Sequence, residues 1–112
     1  MWFKTRVGFC SLVTPFEIRV SYYPNARIPN YCVYARSNKD QDFHYEGRLG
    51  SAKATGPVTF LVMFLPSDTV QKGIAACMKV IEEAICTQDK ICDLSAFGDE
   101  SAWEGWNVIE WQ

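Results

Sequence analysis

The most pointed chemistry in this chain lies near its C-terminus. Trp103, Glu104, Trp106, Glu110 and Trp111 fall within nine residues. An indole face attracts a cation, and a nearby carboxylate strengthens that attraction. Such a patch suits an Arg or Lys side chain of a protein partner, or a small cationic or aromatic ligand. The plainer role is structural, with tryptophans covering an open sheet face and acids serving solvation.

A second group mixes bases with rings: Arg19, Tyr23, Tyr34, Arg36, His44 and Arg48. A sheet face of arginines and tyrosines can stack bases and contact phosphates. It equally suits a protein interface. The chain carries a net charge of -2, and no single-strand-binding submotif accompanies the group, so nucleic acid is disfavoured. His44 is the sole histidine, with Glu46 two residues on. On a strand the two share a face, which suits acid–base work near neutral pH. An enzyme would need His44 in a cleft beside Glu17, Glu46 or a reactive cysteine, and no nucleophile motif supports that.

Metal and cofactor motifs are absent from the sequence. One histidine and no paired-cysteine motif exclude the common zinc patterns. Asn38 to Asp42 spaces its oxygens like the start of a calcium loop. Phe43 then stands where the tight turn needs Gly, and no Glu follows at the twelfth position. Gly47-Arg48-Leu49-Gly50 lacks the Lys-Ser/Thr of a phosphate loop. Five cysteines, Cys10, Cys32, Cys77, Cys86 and Cys92, cannot all pair within one chain. Cys86 and Cys92 are the candidates for a redox pair. With no secretory signal and no apolar run near twenty residues, the expectation is a reduced, cytoplasmic protein with no membrane span.

The elements that must position these residues follow from hydrophobic pattern. A chain of 112 residues makes one domain, 1–112, able to bury a core without staples. Strands are expected over 2–13, 16–23, 31–36 and 43–49, with turns at Pro15, Pro24-Asn25, Pro29-Asn30 and 37–41. Alternation in the first places Phe3, Thr5, Val7 and Phe9 on one face. Residues 50–57 read as a small-residue loop. Val58 to Leu65 is apolar on both faces, as in a strand covered on both sides. A helix follows to Ile85, with Val70, Ile74, Cys77, Met78, Ile81 and Ile85 on one stripe and a capping box at Asp68 and Gln71. Residues 93–97 suit a helical turn, and 106–111 a last strand.

The expected fold is α+β: a mostly antiparallel five- or six-stranded sheet with one long helix packed on one face. Charge is split along the chain. Residues 1–56 hold eight Lys/Arg and four Asp/Glu, and residues 57–112 hold three and nine. The expected function is a small non-enzymatic protein-interaction module, possibly regulatory. It would dock through Trp103, Trp106 and Trp111, with Glu104 and Glu110 as charge partners. The partner would be another protein or a second copy in a homodimer. The alternative is a cup between helix and curved sheet that binds an aromatic or cationic small molecule.

Overall fold

The computed structural model describes residues 1–12, 16–47 and 50–105, those at 37–44 and 50–58 by backbone alone. Its elements run β1 (Trp2–Thr5), β2 (Gly8–Ser11), β3 (Glu17–Tyr23), β4 (Asn30–Gly47), β5 (Gly50–Phe64), α1 (Val70–Cys86), β6 (Ile91–Asp93) and a 3-10 turn (Glu100–Trp103). The class is mixed α+β. A single sheet with the helix laid across it is not what forms. The long β4–β5 hairpin changes register between Val33 and Tyr34, and again between Arg36 and Gln41. Before the second irregularity β4 lies between β3 and β5 in a three-stranded part; beyond it β4 leads the four-strand run β4-β2-β1-β6, with the start of β5 on its other edge. Bulges bend a strand and increase its twist, so one hairpin serves two packing surfaces.

Two turns expected from the sequence are strand instead. Residues 37–41 continue β4, and 50–57 begin β5, where Gln41 to Gly47 pair with Gly50 to Gly56. Local preference for turns in Asn, Asp, Lys and Gly yields to cross-strand pairing, and the irregularity after Arg36 absorbs the conflict. The expected strand over 2–13 breaks the other way, into the β1–β2 hairpin. Gly8 has φ +148°, and a Cβ there would lie 2.4 Å from the Glu46 carbonyl oxygen. The turn breaks the alternation: Phe3, Thr5 and Val7 are buried, but Phe9 is exposed and Cys10 takes the inward position.

The apolar stretch ending β5 behaves as its pattern predicts, with Leu61, Val62, Met63 and Phe64 all buried. The stripe of α1 joins them through Val70, Ile74, Cys77, Ile81 and Ala84. Ile85 is exposed because Ala84 occupies the last inward position, a rotation of about 100° earlier. Gly73 admits α1 close to Phe64, whose ring would lie 3.1 Å from a Cβ there. The capping box does not form: the N-cap is Thr69, without a side-chain cap hydrogen bond. Gln88, at φ +57°, ends the helix in the left-handed region.

After α1 the chain returns as β6, parallel to β1. Asp99 then fastens the end of β5, its amide donating to the Met63 carbonyl at 2.8 Å and its carboxylate accepting from the Leu65 amide at 2.9 Å. This contact lays the 3-10 turn against the core and buries Ala102 and Trp103. The turn expected at 93–97 forms as a single hydrogen-bonded turn after β6 ends at Asp93, the Phe97 amide donating to the Leu94 carbonyl at 3.1 Å and the Asp93 carboxylate accepting from the Ser95 amide and hydroxyl.

Candidate ligand-binding site

At the three-stranded end, β3 stops at Tyr23 and a loop bounded by Pro24 and Pro29 leads into β4. Proline suits both positions because its fixed φ favours turns and it donates no ladder hydrogen bond. The register sets Tyr23 opposite Asn30, Ser21 opposite Cys32 and Arg19 opposite Tyr34. Across β4, Cys32 meets Met63 and Tyr34 meets Phe60. Directly opposed residues share a face. The bulge at Val33/Tyr34 thus lets Phe60 and Met63, three residues apart, face the same side.

The result is a recess of about 480 Å³ lined by Tyr22, Tyr23, Phe60, Met63, Asn30 and the loop from Pro24 to Arg27. The ring of Phe60 is met edge-on by Tyr23 and by Tyr34, each with centroids 6.2 Å apart. The Tyr34 hydroxyl is hydrogen-bonded to the Ser21 hydroxyl at 3.1 Å. Partial burial raises the Tyr23 phenol above its ordinary pKa, with smaller contributions from Cys32 and Tyr34. It therefore presents a neutral hydroxyl at neutral pH.

Asn30 is 1% exposed and belongs to the wall of this recess. Its Nδ2 donates to the Ile28 carbonyl at 3.0 Å, which fixes the amide's orientation. Its Oδ1 is buried and accepts no hydrogen bond. A buried acceptor without a donor costs about 1–3 kcal/mol. Because Oδ1 is sealed from solvent, a donor reaches it only when a lining side chain yields.

A second recess, of about 690 Å³, is bounded by Met1, Trp2, Phe16, Ile85 and Gln88 to Lys90. It is larger and sets Met1, Trp2, Phe16 and Ile85 against the polar Gln88, Asp89 and Lys90, but the one buried unpartnered side-chain atom among the described residues is Asn30 Oδ1, in the first recess. The first recess therefore has the stronger claim to a ligand.

The residues expected to act are distributed differently from their sequence clusters. Trp103 is 2% exposed and belongs to the core, so it is not a solvent-facing anchor. Glu104 is exposed, its amide donating to the Ser101 carbonyl at 3.2 Å. Trp106, Glu110 and Trp111 lie outside the described residues. Arg19, Tyr23, Tyr34 and Arg36 share one face by register, but Tyr34 is buried and Arg19 is paired with Glu17 at 3.0 Å. The His44 backbone is opposite Ser11 and Lys53; its side chain and all of Arg48 lie outside the described residues. Glu17, engaged by Arg19, stands opposite Arg36 in β4 rather than opposite His44.

All five thiols are unpaired, so Cys86 and Cys92 form no disulfide. Burial pushes Cys10 up to about 12, Cys77 up to about 12 and Cys92 up to about 11, and raises Cys32 as well. These four are protonated at neutral pH and are packing groups rather than nucleophiles. Among the described residues no cluster of three His, Cys, Asp or Glu is placed to hold a metal ion. No helix among them is long and apolar enough to cross a membrane.

Sequence reasoning passed over Asn30 and Met63. Asn30 read as turn punctuation beside Pro29, and Met63 as one more apolar residue. The available signal for Asn30 was a polar residue immediately before the run Tyr31-Cys32-Val33-Tyr34-Ala35. No protein-family model matches the chain, and no curated protein or solved structure matches it significantly.

Proposed function

We propose that this chain is a small non-enzymatic binding module for a planar small molecule that carries an N–H or O–H donor. The observation that supports this is the buried, unpartnered Asn30 Oδ1 in the wall of an aromatic recess. Natural interiors rarely leave such an acceptor unmet, and a donor on the ligand would meet it. Tyr23 and Phe60 supply ring surface for stacking or edge contact. The volume falls in the range of small-molecule sites, roughly 300–1,000 Å³. Five unpaired thiols support placing the module in a reducing, cytoplasmic setting.

The test is a titration of the isotopically labelled full chain with indole, followed by amide NMR to millimolar concentration. Shifts are expected at the Asn30 side-chain amide and around Tyr23 and Phe60. Absence of shifts there at millimolar indole would sink the assignment.

A second function, self-association, is favoured by β3. It lies at the end of the strand order and exposes Val20 and Tyr22, and such an edge can pair with a second copy. A concentration-independent monomer in sedimentation would remove it.

A further inference from the structure

Among the described residues, the charge lining the recess is of one sign: Arg27 is the one cationic side chain there, and no carboxylate lines it. Arg27 Nη1 donates to the Gly105 carbonyl at 3.1 Å, and the side chain is exposed at the rim. Among the described residues the one carboxylate–cation pair is Arg19 with Glu17. The Arg27 charge thus meets a neutral carbonyl, while a guanidinium offers five donors in a planar fork that matches carboxylate and phosphate.

Gly105 holds this arrangement. It has φ +80°, and a Cβ there would fall 1.8 Å from Arg27 Nη1. Only glycine lets the backbone approach the guanidinium this closely. The cation is therefore placed by a specific contact at the edge of an aromatic recess that has a buried acceptor in its wall. The acidic tryptophan cluster suggests a cationic ligand, but the charge lining this recess is of the opposite sign.

Building on the ligand assignment above, we infer that the recess selects an acid: a planar, donor-bearing ring whose carboxylate or phosphate is held by Arg27. The ring lies against Tyr23 and Phe60, its donor turns toward Asn30 Oδ1, and the acidic group reaches the rim. Three chemical features of the site then correspond to three features of one ligand. An amine in place of the acid brings two cations together and is disfavoured.

Three probes with one ring system test this on the full chain: indole, indole-3-acetate and tryptamine. Indole-3-acetate is expected to bind roughly three- to tenfold more tightly than indole, the range for one exposed charge-assisted contact. Tryptamine is expected to bind more weakly than indole. Added salt should narrow the spread, because exposed charges are screened. In Arg27→Gln the ratio of acid to indole affinity should fall to about one. Arg27→Lys keeps the charge without the fork, so part of the preference should remain. Gly105→Ala displaces the guanidinium and should lower the same ratio.

Equal affinity for indole and indole-3-acetate, or a preference that survives Arg27→Gln, overturns the acid selection while leaving the ligand site standing. No binding by any of the three overturns both.

Discussion

The two ends of this molecule treat buried polar groups differently. At the β1–β2 end, the Tyr45 hydroxyl donates to the Val7 carbonyl, and the Thr5 hydroxyl donates to the Gly8 carbonyl at 2.9 Å while accepting from the Val7 amide. Each of these polar atoms has its partner within the chain. At the β3–β4–β5 end, Asn30 satisfies its donor side and leaves Oδ1 unmet. Aromatic groups are mixed at both ends: Phe3 and Tyr45 are sealed but Trp2 and Phe9 exposed at the first, and Tyr34 is buried but Tyr22 and Tyr23 open to solvent at the second. The first end is complete without a ligand, and the second has the features of one that is not.

Substitutions should separate the two ends by what they disturb. The largest loss is expected from Trp103→Ala, about 3–5 kcal/mol of unfolding free energy as for other buried aromatics, read by denaturant titration. A loss under 1 kcal/mol would return Trp103 to the surface-anchor role. Gly8→Val should cost about 3 kcal/mol, because a side chain there meets the Glu46 carbonyl and adopts an unfavourable φ. Wild-type stability in that variant would mean that the β2–β4 contact is loose.

Alkaline pH probes the thiols of the packed region. Cys10 and Cys77 rise in the folded state from the ordinary value of 9.0 to about 12. The unfolded chain therefore loses these protons first. Their contribution is intact below pH 9 and declines as pH rises toward 12. A loss of about 2–3 kcal/mol per thiol by pH 11 is expected, and Cys77→Ala should remove its share. A flat profile from pH 8 to 11 would contradict this burial.

Asn30→Leu sharpens the contrast at the open end. It removes an unmet acceptor along with one hydrogen bond to Ile28, so net stability should change by less than about 1 kcal/mol. Indole binding should nevertheless be lost. Severe destabilisation would make Asn30 a structural clasp of the Pro24–Pro29 loop instead. The smallest effect belongs to Arg19→Gln: its partner Glu17 and Arg19 itself are exposed. No measurable change in Tm is expected, and a clear drop would show that the β3 edge is held by charge.

Hydrophobic period made several elements legible in the chain itself. The alternation from Phe16 to Tyr23 yields β3, the two-sided apolar run yields the buried end of β5, and the spacing of Val70, Ile74, Cys77 and Ile81 yields the inward stripe of α1. These patterns are local: burial of one face or two leaves its period in the residues that form it. An odd cysteine count also showed without coordinates that at least one thiol is unpaired within the chain.

Only tertiary structure decided the rest. Residues 50–56 are turn-like in isolation and become strand because they pair with Gln41 to Gly47, and residues 37–40 bridge the irregularity between the two paired parts of β4. Trp103 belongs to an acidic aromatic cluster in sequence but packs in the core because Asp99 fastens its segment to β5. Asn30, Phe60 and Arg27 have no sequence relation that marks a site. A bulge, a cross-strand register and a contact with Gly105 bring them to one recess, because side-chain proximity in a sheet depends on strand pairing rather than distance along the chain.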